Sequence, residues 1–258
     1  MILFECDLDN TIIHSYKRAD ENDICVETGK DGKKLSYMTK KGYNQFNFLN
    51  DNYSQLKIIP VTTRSIEQYL RINLFKNNRF PEYAVTSNGG NLLINNIPDE
   101  KWFSDSLELI EKSIPELKKS IDILNSHKST QFEARFVDEL FVFTKSDDIA
   151  DIKNILEKNL DGNTVSVFEN GQKIYVMPKI LSKGTACKRL FEKFKPDISI
   201  CAGDSSFDIP MLEYADIAIY PSELDGKIHS DKRKIINDNS CNFAEFICAN
   251  VRNICGEL

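Results

Sequence analysis

Short apolar runs alternate with amphipathic segments along most of this chain. "ILFECDLD" (2–9), "LKIIPVTT" (56–63), "EYAVTSN" (82–88), "ISICAGD" (198–204) and "DIAIYP" (216–221) are of strand length and almost continuously apolar. Strands that lack alternation are buried on both faces, so these runs predict a parallel sheet with helices on either side. Helical periodicity appears between them. Ser65 is placed as the N-cap of a helix over 65–75, with Ile66, Tyr69, Leu70 and Leu74 on one stripe. Residues 183–194 repeat the pattern with Ala186, Leu190 and Phe194, and 242–254 form a further amphipathic helix.

The pattern changes over 91–180. A long amphipathic helix is predicted over about 102–126, followed by two alternating strands, "TQFEARF" and "ELFVFTK". A second helix, "DDIADIKNILEKNL", precedes two more strands, "TVSVFEN" and "KIYVMPK", joined around Asn170-Gly171, a hairpin signal. Strands with one polar and one apolar face predict an antiparallel sheet with two helices on one side. The expected fold is therefore α/β: a Rossmann-like parallel-sheet core over 1–90 and 181–258, interrupted by an α+β insert (αββαββ) over 91–180. A separate hairpin is predicted in "ICVETGKDGKKLSYMT", at the same end of the sheet as "CDLDNT".

Composition narrows the class. The net charge of −6, from 33 basic and 39 acidic residues, argues against general nucleic-acid binding. No apolar stretch reaches the length of a membrane span, and carboxylates interrupt "MILFECDLDN", so neither a membrane nor a secretory route is expected and the chain reads as cytoplasmic. The seven cysteines are odd in number and lack C-x-x-C spacing, which predicts small buried residues of a reducing compartment, with neither a disulfide framework nor a zinc site.

The chemistry lies where apolar runs stop. Ligands of open α/β sheets bind outside the carboxyl ends of the strands. There the runs end in Asp7 and Asp9, in Thr62 and Thr63, in Ser87 and Asn88, and in Asp204 with Asp208 four residues on. Two acidic pairs at the ends of two buried strands call for a hard divalent cation, and oxygen ligands with room for water and phosphate suit Mg²⁺. Thr62 supplies a hydroxyl, the helix after it supplies backbone amides, and Lys183 supplies a fixed positive charge.

These residues resemble the four motifs of the haloacid dehalogenase superfamily, in order. D-x-D-x-T is Asp7 to Thr11, the apolar strand ending in Thr is Thr62, the lysine is Lys183 in "LSKGTA", and G-D-x-x-x-D is Gly203 to Asp208. An insert between the second and third motifs resembles the C2 cap of subclass IIB, similar to sucrose-phosphatase-like and Cof-type phosphatases. The resemblance implies Asp7 as nucleophile, Asp9 as general acid and base, and Thr62 and Lys183 as further catalytic groups that hold the phosphoryl. Leu8, Asn10, Thr63 and Arg64 would add phosphate or substrate contacts. Mg²⁺ would be held by Asp7, Asp9, Asp204 and Asp208. "TTRS" departs from the common Thr-Gly-Arg at Thr63, and Phe207 stands where many relatives carry Asn. The implied activity is Mg²⁺-dependent hydrolysis of a small phosphate ester, sugar phosphates included, through an aspartyl-phosphate. A phosphotransferase or mutase of the same superfamily and a non-catalytic regulatory module are the alternatives, and the oligomeric state is left open.

Overall fold

The computed structural model describes residues 1–74 and 81–257. The chain divides into two compact units: Met1–Pro98 with Lys183–Leu258, and Asp99–Ser182. In chain order the first unit begins with β1 (Ile2–Cys6), β2 (His14–Ser15), β3 (Ile24–Thr28), β4 (Lys34–Met38), α1 (Lys40–Asn52), β5 (Leu56–Pro60), α2 (Ile66–Tyr69), β6 (Tyr83–Thr86), β7 (Asn91–Ile94) and β8 (Ile97–Pro98). The second unit holds α3 (Glu100–Ile110), α4 (Ile114–Ser126), β9 (Arg135–Val137), β10 (Phe141–Lys145), α5 (Ile149–Asn159), β11 (Val165–Asn170) and β12 (Lys173–Pro178). The first unit resumes with α6 (Lys183–Phe194), β13 (Ile198–Ala202), α7 (Ile209–Tyr214), β14 (Ile217–Pro221), β15 (Arg233–Asn237) and α8 (Phe243–Glu257).

The central sheet of the first unit is parallel, in the order β15-β14-β13-β1-β5. Every residue of β1 is buried, as a central strand covered on both faces requires. Phe4 and Cys6 join Phe46 and Leu49 of α1 and Ile247 and Val251 of α8 in one apolar cluster. Leu3 and Glu5 point to the opposite side, because successive strand residues alternate faces. Thr39 caps α1 by accepting from the Gly42 amide at 3.0 Å, and Ser65 and Gln68 form a capping box on α2.

Several expectations change. The run at 82–88 does form β6, but it pairs with β7 and β8 in a three-stranded antiparallel sheet. A single parallel bridge, Val61–Val85, connects it to the end of β5. Residues 91–98, expected in the insert, therefore belong to the first unit, and the chain crosses between units at Pro98–Asp99 and Ser182–Lys183. The helix expected over 65–75 spans only Ile66–Tyr69, followed by a turn at Leu70, and position 75 lies outside the described residues. β15 was not anticipated, because Arg233 and Lys234 interrupt the apolar pattern of an edge strand.

Considered by itself, the second unit is an antiparallel sheet in the order β11-β12-β10-β9. Leu117 and Leu124 of α4 and Ile152 and Leu156 of α5 bury one face of it against Val142, Val165, Ile174 and Val176. The long helix expected over 102–126 is two, broken by a 3₁₀ turn at Glu111–Ser113. Pro115 explains the break: it sits in the first turn of α4, where a missing amide is harmless, and it could not continue α3. Asn170 pairs with Lys173 across a two-residue turn in which Gly171 has φ 58°, as a tight hairpin demands. No helix among the described residues is long and apolar enough to cross a membrane.

Candidate active site

Asp7 follows the last residue of β1, and its amide still donates to the Ala202 carbonyl of β13 at 2.9 Å. The chain then turns tightly. The Leu8 carbonyl accepts from the amides of Thr11, Ile12 and Ile13 at 3.2, 3.0 and 2.9 Å. Leu8 itself is fully buried, which anchors the turn between buried Asp7 and half-exposed Asp9. Asn10 takes a left-handed conformation (φ 62°), which asparagine tolerates better than most residues. Its amide, expected among the phosphate donors, is instead donated to the Ile13 carbonyl at 2.7 Å, and its side-chain oxygen accepts from Arg18.

Lys183, at the first position of α6, is buried and donates from Nζ to Asp7 Oδ1 at 2.5 Å and to Asp208 Oδ1 at 2.6 Å. The other oxygen of Asp208 accepts from the amides of Asp204 and Ser205 at 3.0 and 2.8 Å and from the Ser205 hydroxyl at 2.8 Å. Asp208 thus ties the lysine to the loop that carries Asp204. Gly203 is required for that loop: a Cβ there would lie 2.4 Å from the Asp208 Cβ. Gly184 has a similar reason, since a Cβ would meet the Pro210 carbonyl oxygen at 2.5 Å where α6 passes the start of α7.

Thr11 was noticed only as part of a motif, yet it is a structural member of the site. Its hydroxyl lies 3.1 Å from Asp7 Oδ2 and 3.0 Å from Asp204 Oδ1, spanning the ends of β1 and β13. The five-residue spacing of "DLDNT" is the signal that marks it, because one turn brings its first and last residues face to face.

Thr62 is buried, its amide donating to Val85 at 2.9 Å and its carbonyl accepting from Asn88 at 3.0 Å. Its hydroxyl oxygen accepts from the Arg64 amide at 3.2 Å. Ser87 and Asn88 have φ of 54° and 57°, a strained left-handed pair pinned by these bonds and by the Ser87 amide to the Arg64 carbonyl at 2.7 Å. Thr63 is half-buried beside them. The helix after Thr62 was expected to offer amides to an anion, but α2 is one turn long and Ser65 occupies the Gln68 amide.

Arg64, expected among the phosphate contacts, is turned toward two carboxylates. Its Nε and Nη2 donate to the two oxygens of Asp9, each at 2.7 Å, and its Nη1 lies 2.9 Å from Glu27 Oε1. Burial disfavours its charge, but the bonds and charges of Asp9 and Glu27 outweigh that and hold the guanidinium more firmly protonated than usual. His14, at the same end, bonds through Nε2 to Asp23 at 2.8 Å.

The electrostatics of the site are dominated by its carboxylates. Burial pushes Asp7 well above the usual carboxylate range; Lys183 opposes this, and the charges of Asp208, Asp9 and Asp204 add to it. Asp204 is pushed up to about 6, by burial first and by Asp208 second, with the Thr11 hydrogen bond pulling the other way. With Glu27 set against Arg71, the four carboxylates of Asp7, Asp9, Asp204 and Asp208 gather around two cations, Lys183 and Arg64. Carboxylate oxygens of Asp7, Asp204 and Asp208 lie within 4.8 Å of one another. An all-oxygen group of this kind fits a hard divalent cation such as Mg²⁺.

A profile of haloacid dehalogenase-like hydrolases matches residues 4–240, most of the chain and both units. The chain belongs to that family. A Haemophilus influenzae protein provisionally named a phosphatase is 26% identical over 165 residues, a match that spans 57% of this chain and only 56% of that protein. Among solved structures, the sucrose-phosphatase of Synechocystis, determined with sucrose and phosphate, superposes with a TM-score of 0.66 over 98% of each chain at 18% identity. A phosphatase of the haloalkanoate dehalogenase superfamily from Bacteroides thetaiotaomicron gives 0.59 over 100% of this chain and 96% of its own, at 15% identity. At such identities these two establish the shared fold, parallel core and insert together. This haloacid dehalogenase fold puts the four motif positions of the chain at the carboxyl ends of β1, β5 and β13 and at the start of α6.

Proposed function

We propose that this member of the haloacid dehalogenase-like hydrolases is a Mg²⁺-dependent phosphatase acting on a small phosphorylated metabolite, sugar phosphates among the candidates. The observation that carries the proposal is the buried Lys183 bridging Asp7 and Asp208 beside Asp204, with Thr11 spanning Asp7 and Asp204. The names borne by the Haemophilus influenzae relative and by the Synechocystis structure support the same reading.

In this reading the Asp7 carboxylate attacks phosphorus. A bond forms between its oxygen and phosphorus as the ester P–O bond breaks, and Asp9 gives its proton to the departing alkoxide. Asp9 then takes a proton from water, whose oxygen displaces Asp7 from phosphorus and releases inorganic phosphate. Lys183, the Thr62 hydroxyl and the Leu8 amide neutralise and orient the transferring phosphoryl, which needs positioning more than bond-making chemistry. Asp7, the Asp9 backbone carbonyl and Asp204 would hold Mg²⁺, with Asp208 fixing Asp204 from behind; the cation supplies charge neutralisation between phosphoryl oxygens and carboxylates. Asn10 and Arg64, given their internal bonds, act on the loop and on Asp9 rather than on phosphate. The insert Asp99–Ser182 is assigned the part of a C2 cap, from its position between Thr62 and Lys183 in the chain.

The test is turnover of p-nitrophenyl phosphate by the purified protein with Mg²⁺ and with EDTA. Asp7→Asn is expected to lower turnover on the order of 10⁴-fold or more, and EDTA to abolish it. Turnover that survives in Asp7→Asn sinks the mechanism.

A further inference from the structure

We infer that Glu27, on the β3–β4 hairpin, is a positioning residue for the proton-transfer step, acting on Asp9 through Arg64; the inference rests on the phosphatase reading above. Glu27 is only 3% exposed, although it lies in a hairpin rich in lysine and glycine. A buried carboxylate must be paired and fully hydrogen-bonded to be tolerated. Here Oε1 takes Arg64 Nη1 at 2.9 Å and Arg71 Nη2 at 3.2 Å, and Oε2 accepts from the Ser36 hydroxyl at 2.6 Å. Arg64 in turn grips both oxygens of Asp9, whose side chain is 48% exposed at the catalytic end of the sheet.

The backbone is built to deliver this carboxylate. The β3–β4 register shifts on both sides of Glu27: Cys25 pairs with Tyr37, Glu27 with Ser36 and Thr28 with Lys34. Such bulges place an extra residue in a strand and re-aim its side chains. As a result the consecutive residues Val26 and Glu27 are both buried, which regular alternation would forbid. The hairpin is tied down beyond the bulge by the Asn73 amide on the Val26 carbonyl at 2.7 Å and by the Glu27–Ile72 bridge.

The consequence follows from geometry. A guanidinium has a rigid planar fork, and a carboxylate on one side of it fixes the plane it presents on the other. Glu27 sets the plane of Arg64, and Arg64 sets the orientation of the Asp9 carboxylate. The guanidinium favours the carboxylate form of Asp9, so what the fork contributes is aim and not the proton; a general acid or base works only when its oxygen is aimed at its partner, and in that way the hairpin bears on Asp9.

The experiment compares a series of aryl phosphates, from p-nitrophenyl to phenyl phosphate, in wild type, Glu27→Gln and Asp9→Asn, with thermal melting to check folding. p-Nitrophenolate departs unprotonated, whereas phenolate gains from a proton. Glu27→Gln is expected to lose about 100-fold in kcat/KM on phenyl phosphate and less than about threefold in kcat/KM on p-nitrophenyl phosphate, a ratio that reports transfer to Asp7 and leaves out the water step that Asp9 also serves. Asp9→Asn should show the same steepening, more strongly. Should Glu27→Gln fail to fold, Arg64→Lys, which keeps the charge and loses the fork, is measured for the same steepening. Equal loss on both substrates, or no loss, overturns the role of Glu27 while leaving the phosphatase reading intact. A wild-type protein that turns over neither substrate overturns that reading and this role with it.

Discussion

Two buried carboxylates stand two residues apart on the same face of β1 and its extension, and they have different neighbours. Asp7 faces Lys183, whose ammonium also binds Asp208. Glu5 has no cation. It pairs in register with Cys201 of β13, whose thiol donates to Oε2 at 3.4 Å, and the Cys187 thiol of α6 is its other neighbour. One of its oxygens, Oε1, has no hydrogen-bond partner among the described residues. Burial raises Glu5 to about 8, with the Cys187 and Cys201 thiols pulling downward and Asp216 upward, so its protonated form is favoured near neutral pH. The same helix supplies both neighbours, Lys183 and Cys187 being one turn apart. The contrast teaches what surrounds a buried carboxylate in this sheet: burial raises both groups, and Asp7 has a buried ammonium, Lys183, that opposes the rise, whereas Glu5 has two thiols in its place.

The largest departure from that contrast is expected from Lys183→Met. It leaves Asp7 and Asp208 buried without their cation, at a cost of about 3–5 kcal/mol in urea unfolding without added metal, together with loss of turnover. Saturating Mg²⁺ should return part of the stability, because a ligand that binds only the folded state shifts the equilibrium toward it. A variant as stable as wild type would show that the pair carries no net charge.

A smaller effect should come from Glu5. Its pKa is about 8 folded against an ordinary 4.5 unfolded. Below pH 4.5 both states hold the proton and stability is at its fullest on this account. As pH rises from there toward 8 the unfolded state releases the proton first, and stability falls by up to about 1.4 kcal/mol per pH unit. Urea midpoints at pH 5, 6, 7 and 8 should show this slope in wild type and a shallower one in Glu5→Gln. Matching slopes would mean that Glu5 is charged in the fold.

The smallest is Thr11→Val, which keeps shape and removes the hydroxyl between Asp7 and Asp204. About 1–2 kcal/mol of stabilisation is at stake, read as a roughly tenfold weaker Mg²⁺ dependence of turnover. Unchanged Mg²⁺ dependence would confine Thr11 to the architecture of the turn.

The contrast also marks how far sequence reading reaches here. That Asp7, Asp9, Thr62 and Asp204 lie just past buried strands and Lys183 and Asp208 at helix starts was legible, because a strand end is visible as a change in pattern. The unit made of α3 to β12 was legible for the same reason, through periodicity that switches from 3.6 to 2. The Glu5–Cys187–Cys201 cluster was not, since it depends on which residue of β13 lies opposite Glu5 and which turn of α6 covers them. The partners of Arg64 were hidden too. Glu27 looks like any polar position of a hairpin until a bulge turns it inward. The short α2 and the charged edge strand β15 are local patterns overruled by their surroundings.

The order of the chain gives β1 a history during synthesis. Its neighbour β5 emerges early, but β13 and Lys183 appear only after all of Asp99–Ser182 has been made. Until then β1 has one open edge, and Asp7 lacks the cation that makes its burial tolerable. Closing a loop of that length is entropically slow rather than prohibitive, since its cost grows only with the logarithm of length. A chain that ends before Lys183 lacks the ammonium that pairs with Asp7, and β1 gains its second neighbour only with roughly the last quarter of the sequence.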